Sequence, residues 1–221
     1  MTIENVIIDL QNILKNEDFY KIPNIIEKLK EDLSQKNYIK TPSDKTKLSS
    51  IKKVLKKNEN IRPILSCFTP FKDGIAFTDS YQLYYLKDKY IPFKIAFNTE
   101  ISEDKQTEYI EKYNLEKIEG NYPNLKNIIP DYEPKEIYKV NLNEFLKNYK
   151  LAEKNNRNEK IMEFNINDLY KLTFNGEFLN NAINILKLNK DFEINFYGVD
   201  RPFTIKNDIG ELGLIIPIRT Y

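Results

Sequence analysis

The spacing of hydrophobic and polar positions changes several times along this chain, and each change marks a predicted element. Ile3, Val6, Ile7, Leu10 and Leu14 recur at helical intervals behind Thr2, a residue suited to capping a helix. Pro23 fits the first position of a second helix, which carries Ile25, Ile26, Leu29 and Leu33. Together these predict a helical hairpin over residues 1–45, with 37–45 as its linker. A third helix over 45–57 sets Leu48, Ile51, Val54 and Leu55 on one side. Lys47, Lys52, Lys53, Lys56 and Lys57 fall on the other.

Beyond that helix the period shortens. The run 62–69 reads as extended, and a Lys72-Asp73-Gly74 turn leads into a hairpin of strands at 75–78 and 82–86. A further strand is expected at 93–97. A loop over 98–106 then passes into a short helix or strand near 109–113. Residues 120–130, with Pro123, Pro130 and three asparagines, suit a connector. After it come a strand at 136–140, a helix at 143–154, a turn at 155–159 and a strand at 160–166. The last segment reads as a helix over 178–188 and strands at 192–197, 202–206 and 212–218. Helix, strands, connector, helix, strands is one pattern used twice. It predicts an α+β fold with units at 46–130 and 131–221 behind the hairpin.

Composition narrows the chemistry. With 34 basic and 33 acidic residues the net charge is +1, so no global field draws the protein to nucleic acid or an anionic membrane; a single basic face stays open. There is no histidine, which removes Ser-His-Asp and Cys-His catalysis and His-ligated metals together. The one cysteine, Cys67, can form neither an intrachain disulfide nor a zinc cluster, and its apolar surroundings suit a buried thiol. No apolar run approaches membrane-helix length, and the start lacks the basic region of a signal peptide, so a cytoplasmic location is expected. The acidic residues fall into no metal-binding or acid–base spacing. With six glycines there is little room for a phosphate-binding loop, so no catalytic residue, metal or cofactor is expected.

Three stretches resemble the bacterial sliding clamp, the beta subunit of DNA polymerase III. The first is Asn60-Ile61-Arg62-Pro63-Ile64-Leu65-Ser66 followed by Ile75-Ala76-Phe77-Thr78-Asp79-Ser80-Tyr81-Gln82-Leu83. It is similar to the clamp's Arg-Pro-apolar-Leu and Ala-Thr-Asp-Gly-His/Tyr-Arg-Leu. The second, Gly120-Asn121-Tyr122-Pro123 through Ile128-Ile129-Pro130, resembles the clamp's inter-domain Gly-Arg-Phe-Pro connector. The third is the closing strand Leu214-Ile215-Ile216-Pro217-Ile218-Arg219, with Phe174-Asn175 ahead of its helix. The resemblance covers roughly residues 46–221. Ser80-Tyr81-Gln82 departs from it by losing an arginine, and both units are short, the first especially so between Leu86 and Leu115. A divergent, shortened clamp of this kind suggests a phage or mobile-element origin.

The resemblance implies a non-enzymatic processivity factor that holds double-stranded DNA without reading its sequence and tethers a polymerase or other proteins bearing a clamp-binding motif. Its peptide groove would use Thr78, Leu83, Pro123, Ile128, Leu214 and Ile216. Branched aliphatics and a proline make a rigid, dry pocket, and strand edges supply backbone hydrogen bonds. Lys52, Lys53, Lys56, Lys57, Lys187 and Lys190 would face the DNA phosphates. Two units per chain imply a homo-oligomeric ring of three chains, with a clamp loader as a further partner; the shortened units leave a monomer or dimer open. Three bland readings stand beside these: six core residues, lysines on solvated faces, and a clamp-derived interaction module that neither closes a ring nor holds DNA. An unrelated enzyme using acidic residues is the third function class.

Overall fold

The structure is a computed structural model and describes residues 41–87, 94–155 and 160–219. The chain divides into two compact units, 1–40 and 41–221. The expected helical hairpin lies almost wholly outside the described residues.

Helix α1 runs from Asp44 to Lys56, and the Ser43 hydroxyl accepts the Thr46 N–H (3.2 Å) as its cap. The run expected to be extended at 62–69 instead opens with a 3-10 turn, Pro63–Ser66, because Pro63 is preset for a helical first turn. Three antiparallel strands follow as a meander: β1 (Thr69–Phe71), β2 (Gly74–Thr78) and β3 (Gln82–Leu86). Gly74 is required there, since a Cβ would stand 2.0 Å from the Leu86 carbonyl oxygen.

The middle of the chain is sparser than its pattern suggests. Strand β4 is Lys94–Ile95 and stops short of the expected 97, and 109–113 proves to be the end of helix α2 (Glu103–Tyr113). β4 pairs in parallel with β5 (Glu116–Lys117). The connector holds one 3-10 turn, Leu125–Asn127.

Then come β6 (Glu136–Val140), α3 (Leu142–Asn155), β7 (Ile161–Asn165) and β8 (Lys171–Asn175). Helix α4 (Gly176–Ile185) starts two residues before its predicted position because the Asn175 side chain caps it, accepting the Glu177 N–H at 2.9 Å. The meander β9 (Phe192–Phe196), β10 (Phe203–Lys206) and β11 (Leu212–Ile215) closes the order.

The two meanders meet. A seven-stranded antiparallel sheet runs β1-β2-β3-β11-β10-β9-β6, with β3 and β11 in register from Gln82↔Ile215 to Tyr85↔Leu212. It crosses the expected division at 130/131, so both expected units share it. Both faces of β2, β3 and β11 are buried. One face packs on α1 and α4. Gly213 lets α4 approach there: a Cβ at that point would lie 3.3 Å from the Tyr84 ring, 3.4 Å from Leu186 and 3.5 Å from Ala182. The alternate residues, Ala76, Leu83, Tyr85, Leu212 and Leu214, join Leu65, Cys67, Tyr122 and Leu125 in a core on the other face.

The last strand ends at Ile215, short of the expected 218, because Pro217 has no N–H to continue the ladder and Ile218 turns to another strand. The Ile216 N–H donates to the Tyr81 carbonyl (2.9 Å) and the Ile218 N–H to the Thr173 carbonyl in β8 (2.8 Å), with Pro217 between them.

Candidate partner groove at the seam

The seam between β3 and β11 brings together Leu83 and Leu214, with Thr78 beside Leu83 and Ile216 beyond Leu214. Leu83 and Leu214 are direct cross-strand partners, and both are buried in the core that Tyr122 and Leu125 cover. Thr78 is buried beside them. Its hydroxyl donates to the Gln82 carbonyl (2.8 Å) and accepts the Ser80 N–H (3.1 Å), so it shapes the β2–β3 turn. Pro123 is half-buried behind Tyr122. Ile128 and Ile216 are left 36% and 38% exposed, and Tyr81, bonded to Ile216 through its backbone, is 55% exposed. Thr78, Leu83 and Leu214 are thus core-packed, Ile216 keeps exposed surface at the seam, and Pro123 and Ile128 lie on the connector.

Tyr122 is the residue that motif reasoning passed over. The Thr78 N–H donates to its phenolic oxygen (3.1 Å), and its hydroxyl points to the Cys67 carbonyl (3.4 Å). One side chain therefore ties the connector to the end of β2 and to the start of the meander. Full burial raises its phenol pKa far above the ordinary range, as it does for Tyr84, and burial also raises the Cys67 thiol. An aromatic at this place in the Gly-Asn-Tyr-Pro string was a visible signal. Its hydroxyl bonds were not, because both partners lie more than forty residues away.

A polar network also sits under the β2–β3 turn. Asp79, 1% exposed, accepts the N–H groups of Tyr81 and Gln82 (2.9 Å each) and the Gln82 side-chain amide (2.9 Å). The Tyr84 hydroxyl donates to Gln82 Oε1 (2.7 Å), and Asn181 of α4 reaches the same oxygen at 3.4 Å. Gln82, which stands where the resemblance leads one to expect arginine, is turned inward toward the helices. Lys57 Nζ approaches Asp79 at 3.3 Å and lies over the rings of Tyr81 (4.9 Å) and Phe178 (4.7 Å).

The lysines expected to face DNA divide into two groups. Lys53 pairs with Glu177 (2.6 Å), Lys57 with Asp79, Lys187 with Asp44, and Lys190 with Asp208 (2.7 Å). Lys52 and Lys56 are exposed and make no ion pair among the described residues. On the same helix, Lys47 is buried 3.9 Å from the buried Glu211. Much of α1's basic character therefore joins the helix to α4 and to the meander turns. A cavity of about 360 Å³ opens between α1 and α4, lined by Lys53, Val54, Lys57, Gln82, Phe178 and Asn181 among others. Among the described residues no cluster of three carboxylates or thiols could hold a metal ion, and no helix is long and apolar enough to cross a membrane.

No family model matches the chain, and no curated protein matches it by sequence. Solved structures do. The Helicobacter pylori beta clamp bound to a DNA ligase peptide superposes with a TM-score of 0.52 at 16% identity, covering 83% of this chain and 65% of that one. The same clamp in complex with 3,4-difluorobenzamide gives 0.53 at 15% identity, with the same coverage. A putative DNA polymerase III beta subunit from Eubacterium rectale gives 0.53 at 15% identity, covering 80% of this chain and 64% of that one. The chain spans about 65% of the length of these clamps. Its fold is that of the bacterial sliding clamps, divergent in sequence.

Proposed function

We propose that this protein is a clamp-like tether, a binding protein and not an enzyme, whose seam takes an extended peptide from a replication protein such as a polymerase. The observation that carries this reading is the β3–β11 seam beneath the connector. A buried Leu83–Leu214 pair is roofed by the connector through Tyr122 and Leu125, and Ile216, two residues beyond Leu214, remains accessible at its end. A rigidly packed seam that presents an exposed apolar side chain beside strand backbone suits an anchor of an extended peptide.

The test is fluorescence anisotropy with the DNA ligase peptide that the Helicobacter pylori clamp binds. Saturable binding is expected, weakened at least about tenfold by Ile216→Asp, a substitution at an exposed position that leaves the core intact. No saturable binding, or equal binding by the variant, would refute the reading.

A second reading, contact with double-stranded DNA, is favoured by Lys52 and Lys56, which are exposed on the helical layer and without an ion pair among the described residues. Each phosphate contact contributes a slope of about −0.9 to log K against log salt. Replacing both lysines by alanine should flatten that slope by about 2, whereas an unchanged slope would remove them from the interface.

A further inference from the structure

The cleft between α1 and α4 lies at one end of the β3–β11 seam. Gln82, which lines it, is the cross-strand partner of Ile215, and the next residue, Ile216, is the exposed apolar side chain of the seam. Tyr81 links the two. Its carbonyl accepts the Ile216 N–H (2.9 Å), and its ring stacks on Phe178 of α4 with centroids 6.2 Å apart and planes 24° apart. An extended chain advances about 3.3 Å per residue, so a peptide held at Ile216 brings a side chain roughly two to four residues away to the cleft.

Charge around this cleft is uneven. Three lysines line it, Lys53, Lys56 and Lys57, against one carboxylate, Glu177. Glu177 is paired with Lys53 at 2.6 Å. Lys57 is exposed and gives Asp79 one donor at 3.3 Å, which leaves two of its three N–H groups. Asp79 is buried and already accepts three N–H bonds from its own turn. Lys56 is exposed and makes no ion pair among the described residues.

Neutral donors add to the cations. Asn175 spends its Oδ1 on the cap of α4, and its Nδ2 makes no hydrogen bond among the described residues. The buried Asn181 holds Gln82 Oε1 with one Nδ2 hydrogen at 3.4 Å and keeps a second. The first turn of α4 brings the positive end of a ten-residue helix to the same place. Phe178 borders these groups with an apolar wall suited to a methylene stem. Ammonium, amide and helix end all favour an oxygen anion.

We propose that the cleft reads an acidic residue of the partner peptide: an aspartate or glutamate a few residues from the apolar anchor docks its carboxylate on Lys56, Lys57 and the Asn175 amide. This rests on the tether reading above and adds the chemistry of the sequence that the seam selects. A site that favours negative charge beside its anchor discriminates against apolar segments that would otherwise fit Ile216. Charges at the rim of an interface act on encounter and are screened by salt.

The test uses the full chain and the DNA ligase peptide, extended at either end by Gly-Glu-Glu or by Gly-Gln-Gln and read by fluorescence anisotropy. From at least one end, the glutamate peptide should bind about five- to tenfold tighter than its glutamine counterpart at about 50 mM salt, and no more than about twofold tighter at about 500 mM. Lys56→Glu should remove that advantage. Lys105→Glu, the same change of charge on α2 and outside the cleft, should keep it. Equal binding of the two peptides, or an advantage that Lys56→Glu leaves intact, would overturn the inference while the binding itself upholds the tether. Should the peptides bind alike and Lys56→Glu instead weaken binding of a short DNA duplex, the cleft lysines serve phosphates and the inference falls. Absence of binding by every peptide would refute the tether, and the inference with it.

Discussion

Replacing Tyr122 by phenylalanine isolates the bond on which the seam's roof depends. The ring stays, so the core around Leu83, Leu125 and Leu214 keeps its volume and no cavity opens. What disappears is the acceptor for the Thr78 N–H, 3.1 Å away in a residue only 6% exposed. The Cys67 carbonyl, at 3.4 Å, loses a weaker donor and counts for less. A buried N–H left without a partner costs roughly 1–3 kcal/mol, so Tyr122→Phe should lower stability by about 2 kcal/mol. For a body of this size that corresponds to a fall in Tm of about 4–8 °C. Against a typical stability of about 5–15 kcal/mol, the variant stays folded. Urea unfolding followed by far-UV circular dichroism should show a lower midpoint with unchanged slope, because the surface exposed on unfolding is the same. The peptide affinity of the seam should fall with it, since the roof is no longer tied to β2. A change below about 0.3 kcal/mol would show that the hydroxyl does not hold the Thr78 amide, and the role given to the connector would fail with it.

Other consequences are equally direct. Lys47→Met leaves the buried Glu211 carboxylate without its cation at 3.9 Å and should cost about 3 kcal/mol in the same assay. Most of that should return in Lys47→Met/Glu211→Leu, and no recovery would show that the pair is not the cause. Gly213→Val overfills the contact with Tyr84, Leu186 and Ala182 and should cost about 1–3 kcal/mol, whereas Gly213→Ala should stay within about 1 kcal/mol. Burial raises the phenol pKa of both Tyr84 and Tyr122, so the folded state holds protons that the unfolded state releases above about pH 10. Stability is then fully present below about pH 10 and falls as pH rises beyond it. Phenolate absorbance should show these two tyrosines ionising only as the chain unfolds; their titration in a folded chain would contradict their burial.

Much of the local architecture was legible because local physics decides it. The apolar stripe Ile51–Val54, the turn at Gly74 and the prolines of the connector act within a few residues of themselves. The misreadings have local reasons too. β8 went unpredicted because its alternation is short and runs straight into the Asn175 cap. The final strand was read too long because Ile216 to Ile218 remain apolar after the ladder has ended. At the candidate site, a Leu on one strand carries no mark of which strand it will face. Thr78, Leu83 and Leu214 therefore looked like groove and packed as core, whereas Ile128 and Ile216 kept exposed surface.

By itself the sequence determined most of the helices and strands, the connector, the lack of imidazole chemistry and a resemblance carried by three strings in the right order. Tertiary structure alone decided that β3 would pair with β11, that the lysines on α1 would meet carboxylates over a hundred residues away, and that the two meanders would meet on one seam. The physical reason is range. Hydrophobic period and capping act over one turn or two residues, whereas register, ion pairing and edge occupancy are settled only when distant segments compete for the same backbone groups and the same buried face.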